Sequence, residues 1–448
     1  MNLSRPPVFQ VGTPLRGVRS SSPTTRTAHR AVPTLTNQKV FHTVETFLPL
    51  CGKIEKHFSI LWKTYFFLLT FPRGRDGARP SKIGGTTSVS SWFVLQAALI
   101  LFALHLAPSA FADTPPGFYV ANWNVENLFD TLDDPDNPYD DEFLPNNPTT
   151  RWTRVRYETK LNNLAQVIRG MNNTSGPDLL GLQEVENDDV VRDLVEKLKP
   201  TPYGIVHVDS PDPRGIDTAL LFNRHRFSLL EFHANKVSLQ ESRTTRDILH
   251  AVFEDRDGKK IHAFVNHWPS RGGGIEISEP NRFAAARTLS KAIARVFQRE
   301  PQAHIVVLGD FNDEPTSQSI RVVLNVAPYP SRTGYIPTRL YNLSSPTSAK
   351  GWGSFFHAFG GNIEWRMYDQ IIVSGALLQN ARMEQDLFWV TKPDYMLKEK
   401  GREKGSPVPT FENQEYYLGG YSDHFPVGAR FIYLNSTPQP RPDDPIRW

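Results

Sequence analysis

Residues 304–313 read HIVVLGDFND, and the order of residue types in this stretch decides what fold to expect. Ile305 to Leu308 form a short apolar run rich in β-branched side chains, the pattern of a strand buried within a sheet. The run stops at Gly309, and Asp310 and Asn312 follow. Burying an unpaired carboxylate costs on the order of several kcal/mol, so a core strand has no use for Asp310. The stretch therefore predicts a strand that ends at a polar edge.

The same order recurs along the chain. PGFYVANWN (116–124) ends on Asn124 with Glu126 behind it, and PDLLGLQEV (177–185) closes on Gln183 and Glu184. KKIHAFVNHW (259–268) carries His267, Asp369 opens DQIIVS (369–374), and Asp423-His424 precedes GARFIYL (428–434). One strand-end acid is ordinary punctuation. Six such places, rich in Asp, Glu, Asn and His, predict a shared site at one edge of a sheet.

Helical patterns lie between these runs. Val155, Leu161, Leu164, Val167 and Ile168 repeat at helical spacing, VVRDLVEKL (190–198) reads as a second helix, and Ser278 with Pro280 predicts a third running to about Gln298. TALLFN (218–223) and ILHAVFE (248–254) read as strands, and Arg256-Asp257-Gly258 as the hairpin turn after the latter. The stretch 130–148, DTLDDPDNPYDDEFLPNNP, is turn chemistry and predicts a loop. Its Asp133, Asp134, Asp136, Asp140, Asp141 and Glu142 are candidates for a second cation, Ca²⁺, although the EF-hand spacing and its glycine are missing. Neither an internal repeat nor a Gly-rich dinucleotide loop occurs. Residues 113–435 are expected to form one α/β domain.

Composition bounds the rest. With 39% hydrophobic and 22% charged residues and one cysteine, the chain is neither collagen-like, nor a disulfide scaffold, nor wholly disordered. Its net charge of +3 is unevenly placed: residues 1–112 hold 13 Lys+Arg against 3 Asp+Glu, and the remaining 37 and 44 leave residues 113–448 at −7. WFVLQAALILFALHL (92–106), followed by Ala110-Phe111-Ala112, has the apolar core and cleavage triplet of a signal peptide, assigned to 89–112. It is short for a permanent membrane anchor, which needs about 18–20 apolar residues. The expectation is export to the periplasm or extracellular space, with 1–88 a basic extension or the product of a start placed too early. Met1 is the only methionine before Met171, so a later start would use a non-ATG codon such as that of Val89. Cys51 falls in this leader, and 436–448 is expected to be a disordered, Pro-rich tail.

The strand-edge residues are hard oxygen donors and imidazoles. That set suits Mg²⁺, with Mn²⁺ or Ca²⁺ as substitutes, better than zinc. No HExxH occurs for a zinc protease, and no G-x-S-x-G for a serine hydrolase.

WNVEN (123–127), LQEVEN (182–187), VNHWPS (265–270), GDFND (309–313), YDQIIVS (368–374) and SDHFPV (422–427), in this order, resemble the endonuclease/exonuclease/phosphatase superfamily over about 117–434. The likeness is to exported bacterial-type members with the deoxyribonuclease I-like fold. The resemblance implies a four-layer α/β/β/α sandwich, two packed mixed sheets flanked by helices, hydrolysing a phosphate ester with Mg²⁺ at the upper sheet edge. It makes Glu184 the principal metal ligand, Glu126 an assisting acid, Asn124 a contact to metal or phosphate, and Asp423 a metal-side acid. Asp310, with Asn312, would orient or deprotonate the attacking water. His424, partnered by Asp369, would polarise the phosphate, and His267 would be a second histidine with Asp217 as its acid partner.

Arg271, ahead of Gly272-Gly273-Gly274, is the residue picked for a substrate phosphate contact, and Trp123 and Trp268 are expected to pack under the site. Export and the His267-containing pattern favour a nuclease on DNA or RNA, acting as a monomer with no stable membrane anchor. A phosphatase or a sphingomyelinase/phospholipase C-type enzyme is the alternative on the same fold. A catalytically inactive binding module is the alternative of another class, and it would have no need of the filled positions.

Overall fold

In the computed structural model, residues 117–434 are described apart from 136, 138, 241–242, 360–361 and 414. The expected basic extension, signal peptide, Pro-rich tail and Cys51 lie outside them.

The strands in chain order are β1 (Gly117–Leu128), β2 (Leu179–Val185), β3 (Tyr203–His207), β4 (Asp217–Asn223), β5 (Phe227–Asn235), β6 (Ile248–Asp255), β7 (Lys260–His267), β8 (His304–Asp310) and β9 (Val326–Pro328). They continue with β10 (Leu340–Asn342), β11 (Phe355–Phe359), β12 (Asn362–Arg366), β13 (Asp369–Ser374), β14 (Ala381–Val390), β15 (Phe411–Glu412), β16 (Tyr416–Tyr417) and β17 (Val427–Tyr433). The three long helices are α1 (Arg154–Thr174), α2 (Asp188–Lys197) and α3 (Ile275–Arg299). One sheet runs β14-β17-β1-β2-β4-β3 and the other β5-β6-β7-β8-β13-β10-β9. Both are mixed: β1 is parallel to β2 but antiparallel to β17, and β8 is parallel to β7 but antiparallel to β13.

Side-chain alternation along the strands creates the layers. Phe118 and Val120 of β1 and Leu220 of β4 meet Val265 of β7 and Val306 and Leu308 of β8 in the core between the sheets. The intervening Tyr119, Ala121 and Trp123 face outward to Leu161 and Leu164 of α1 and Val190 and Leu194 of α2. On the other sheet Ile305 and Val307 face Leu289, Ile293 and Val296 of α3. The result is the expected order of helices, sheet, sheet and helix. Among the described residues, no helix is long and apolar enough to cross a membrane.

Two expectations need correction. Val155 is exposed, because it lies two residues from Tyr157 and so on the far side of α1; Lys160 occupies the buried stripe with Tyr157, Leu161 and Leu164. The third helix begins at Ile275, not at Ser278, because Gly273 and Gly274, at φ 77° and 111°, turn the chain into it earlier. Ser278 lies inside the helix, where its hydroxyl donates to the Gly274 carbonyl at 2.7 Å and accepts from Arg282.

Candidate active site

Strand register brings the polar ends together. Across β7 and β8, His267 stands beside Asp310, and across β8 and β13, Asp310 stands beside Asp369. On the facing sheet Asn124 stands beside Gln183. Gly309 makes the β7–β8 approach possible: a Cβ there would lie 2.4 Å from the Asn266 carbonyl oxygen.

Local irregularities then aim the acids. Gln183 pairs with Thr218 but Val185 with Asp217, leaving Glu184 as an extra residue in β2. The β1–β2 register likewise shifts between Asn124 and Leu128, where Glu126 lies. Bulges of this kind redirect a side chain that regular alternation would point elsewhere. Glu126, Glu184 and Asn312 have φ of 55°, 63° and 48°, left-handed conformations that non-glycine residues adopt at a cost.

Asparagines stitch the two sheets together at the site. Asn122 Nδ2 donates to Gln183 Oε1 at 2.9 Å and to Asp369 Oδ1 at 3.1 Å. Asn124 Nδ2 donates to Asp310 Oδ2 at 3.1 Å and Glu184 Oε1 at 3.3 Å. His267 Nε2 lies 3.7 Å from both Glu184 Oε1 and Asp310 Oδ2. His424 Nδ1 is 2.6 Å from Asp369 Oδ2, and its Nε2 is 4.0 Å from Asp310 Oδ2. Asn312 closes the far side, its backbone N–H on Asp310 Oδ1 at 2.8 Å. Trp123 and Trp268 are buried beneath, with the Trp123 indole N–H on the His424 carbonyl at 2.9 Å.

The charges are set by these neighbours. Burial pushes Asp310 up to about 6, opposed by the nearby His424 and reinforced by Asp369. Burial likewise raises Asp423 to about 7, with the Glu126 and Glu184 carboxylates adding to it. Burial alone would lower His424, but Asp369 and Asp423 outweigh it and hold the imidazole well above its ordinary range. His267 goes the other way, held well below by burial and then by Arg246 and Arg214.

Asp217 does not reach His267. Its carboxylate takes His207 Nε2 at 3.1 Å and the Ser210 backbone N–H at 2.8 Å, because it sits at the start of β4, next to β3 and on the far side of β2 from β1. His267 Nδ1 is buried without a hydrogen-bond partner among the described residues. Arg271 is also less available than expected. It donates from Nη2 to Asp313 at 2.8 Å and from Nε to the Asn312 carbonyl at 2.9 Å, which makes it a brace for the 310–313 turn. Lys398 is tied to Glu403 at 2.5 Å and lies 3.5 Å from Glu412 of β15.

Three participants escaped the sequence reading. Lys160 is buried, and its ammonium reaches Thr410 Oγ1 at 2.5 Å, the Tyr421 carbonyl at 3.0 Å and Glu126 Oε2 at 3.4 Å, one acceptor for each of its donors. A lysine inside an otherwise apolar helical stripe was the signal for it. Asn122 continues the inward alternation of Phe118 and Val120, so a polar residue there had to meet a partner between the sheets. Ser422, whose hydroxyl donates to the Asn124 carbonyl at 2.7 Å, carried no such signal.

Glu184, Asn124, Glu126, Asp423 and Asp310 together offer hard oxygen donors; burial raises Asp423 and Asp310, and the Glu126 and Glu184 charges add to it at Asp423, a condition a divalent cation relieves. Mg²⁺ needs only one or two carboxylates from the protein, keeping waters and substrate oxygens for the rest. The residues fit such an ion.

The model of the Endonuclease/Exonuclease/phosphatase family matches residues 119–435. The chain belongs to this family. Members of the superfamily are hydrolases acting on phosphate esters, typically dependent on a divalent metal. Solved structures similar to this chain include an endonuclease/exonuclease/phosphatase family protein from Bacteroides thetaiotaomicron, at 17% identity and TM-score 0.46, covering 72% of this chain and 100% of that one. A truncated TDP2 from Caenorhabditis elegans matches at 17% identity and TM-score 0.45, covering 70% and 97%. A mannosyl-6-phosphatase from Bacteroides thetaiotaomicron matches at 17% identity and TM-score 0.45, covering 70% and 100%. No curated protein matches the sequence.

Proposed function

We propose that this endonuclease/exonuclease/phosphatase family member is an exported, Mg²⁺-dependent nuclease that hydrolyses phosphodiester bonds of DNA or RNA as a monomer. The observation that carries the chemistry is the His424–Asp369 pair, set 4.0 Å from Asp310. Attack on a phosphodiester is slow because nucleophile and phosphate are both electron-rich. His424, kept cationic by Asp369, places positive charge where the phosphate oxygens gain negative charge. Asp310, raised to about 6, is basic enough near neutral pH to orient water and accept its proton. Asn124 and Asn312 hold that carboxylate in place, and neutral His267 presents Nε2 beside it. Glu184, with Asn124, Glu126 and Asp423 around it, would hold the Mg²⁺, which supplies Lewis-acid neutralisation of phosphate and leaving-group charge.

The surroundings favour a long anionic substrate. An open cleft of about 880 Å³ adjoins the site, with Phe356 and Phe411 for stacking and Arg214 for charge. Phe356 packs on Trp365 with ring centroids 5.0 Å apart, and the Lys392 ammonium lies 4.0 Å from the Trp365 ring centroid, 4.9 Å from Trp352 and 5.1 Å from Phe425. No carboxylate among the described residues pairs with it, so its charge is available to a phosphate flanking the cut. Export is supported by the apolar run and cleavage triplet before Asp113. The test is hydrolysis by the purified protein of plasmid DNA, RNA, sphingomyelin and bis(p-nitrophenyl) phosphate, in Mg²⁺ and in EDTA. Cutting of DNA or RNA only with Mg²⁺ is expected; turnover of the small ester or lipid alone would reject the nuclease reading.

A further inference from the structure

The acidic loop between β1 and α1 lies outside the strand-edge set and plays no part in the chemistry above. Its sequence reads as a solvated turn, yet the fold gathers it. Carboxylate oxygens of Asp133, Asp140 and Asp141 all lie within 4.8 Å of one another. Asp133 and Asp141 are exposed, whereas Asp140 is only 1% exposed. One of its oxygens accepts the Asp134 backbone N–H at 2.7 Å, and the other, Oδ1, is buried with no hydrogen-bond partner among the described residues. A buried carboxylate oxygen without a donor, next to two further carboxylates, is costly unless a cation takes it.

No lysine or arginine among the described residues forms an ion pair with any of the three. The next acids deepen the deficit: Glu186 Oε2 accepts the Asp130 backbone N–H at 2.8 Å, and burial with the neighbouring Asp130, Asp140 and Asp134 charges pushes Glu186 up to about 8. The end of the loop beside these acids is nonetheless anchored. Phe143 stacks on Phe129 with ring centroids 4.1 Å apart, and the Trp152 indole N–H closes on the Phe129 carbonyl at 3.0 Å. Such anchoring holds the three acids in place without neutralising them.

We propose that Asp133, Asp140 and Asp141 form a Ca²⁺ site, separate from the strand-edge centre, that locks the 130–143 loop. Ca²⁺ fits better than Mg²⁺ for two reasons. Its bonds of about 2.4 Å bridge oxygens nearly 5 Å apart, and it accepts irregular shells completed by backbone carbonyls and water. Mg²⁺, at about 2.0–2.1 Å with near-octahedral demands, does not suit an open site of this span. Since Glu142 and Phe143 line the cleft, the ion would fix one of its walls.

The test uses the full protein and Ca²⁺ itself. Equilibrium dialysis with radioactive Ca²⁺, in excess Mg²⁺ to occupy the strand-edge centre, is expected to give one bound Ca²⁺ per chain. Asp133→Asn/Asp141→Asn, which alters only exposed side chains, and Asp140→Asn are each expected to weaken that binding at least tenfold. Glu184→Gln is expected to retain it. Ca²⁺ should also slow proteolytic nicking within 130–150 in the wild type and not in the loop variants. Unchanged Ca²⁺ stoichiometry and affinity in Asp133→Asn/Asp141→Asn, or loss of the bound Ca²⁺ only in Glu184→Gln, overturns the proposal.

Discussion

His424 and Asp369 meet across the joint between the two sheets: His424 precedes β17 of one, Asp369 opens β13 of the other, and Nδ1 to Oδ2 is 2.6 Å. Asp369 is itself held by Asn122 from the opposite sheet at 3.1 Å and by the Ser354 hydroxyl on its backbone N–H at 3.1 Å. The pair therefore exists only when the sandwich is closed.

Its charge sets a pH profile. Asp310, raised to about 6, must be ionised and His424, raised well above its ordinary range, must be protonated, so kcat/KM should rise through about pH 6 and fall only on the alkaline side. Asp369→Asn removes the charge that raises His424. The alkaline limb should then move to lower pH and kcat fall by about 10²-fold or more. A pH–rate profile of this variant superimposable on wild type would reject the pairing as functional. The linkage sign agrees: a histidine whose folded pKa is raised contributes stability present below about pH 6.5 and lost as pH climbs through the folded value.

Glu184→Ala and His424→Ala should each abolish turnover, by about 10³-fold or more, while circular dichroism shows the fold retained. EDTA should reproduce the loss and added Mg²⁺ reverse it. Near-wild-type rates in either purified variant would sink the assignment.

Lys160→Met leaves Glu126 partly buried without its cation and should cost about 3 kcal/mol in urea unfolding. Adding Glu126→Gln should recover part of that loss, since the double variant buries no unpaired charge. Equal stability of Lys160→Met and wild type would show that the ammonium is dispensable.

Lys392→Met keeps the stem packed in its aromatic box and removes only the charge. Oligonucleotide Kd, read by fluorescence anisotropy in EDTA, should rise about tenfold, and the slope of log Kd against log salt should fall by about one. Lys392→Arg should keep the slope. A slope identical to wild type in Lys392→Met would remove Lys392 from substrate binding.

A histidine ladder on the α3 side predicts acid lability. His250 lies 3.1 Å from His262 and 3.4 Å from His233, and burial, then these neighbours, lowers it to about 3. Burial also lowers His304 to about 4. Such groups stay neutral in the fold but take up protons when unfolded, so stability is full above about pH 6.5 and falls as pH drops toward the folded values. Each should contribute a slope of up to about 1.4 kcal/mol per pH unit between. Urea midpoints from pH 7 to 5 should show it, and His250→Asn should flatten it; a flat wild-type profile would contradict the reading.

Much of this protein was legible along the chain. Apolar runs bounded by Gly, Pro and polar punctuation marked β1, β2, β4, β6, β7, β8, β13 and β17, because burial selects those residues whatever the partner strand. The same logic exposed Asn124, Glu184, His267, Asp310, Asp369 and His424, since a polar side chain at a strand end is visible as a break in an apolar pattern. β3, β5, β9 to β12 and β14 to β16 were missed: most are too brief for periodicity to show, while the longer β5 is largely exposed and β14 is interrupted by the polar run Glu384 to Asp386.

What tertiary structure decided was pairing. Asp217 opens its strand and His267 closes its own, both at polar ends, yet β4 delivers Asp217 to His207, and no local pattern records which strands lie side by side. Arg271 sits in a Gly-rich loop that reads as free, but the 310–313 turn claims its guanidinium. Lys160 is an ordinary lysine in sequence and becomes a buried ion partner only when Thr410 and Tyr421 arrive from some 250 residues away. Residue type and spacing are set by solvent and backbone chemistry, which act locally. The charge each group carries depends on which distant groups packing brings within a few ångströms, and that is settled by the closed sandwich alone.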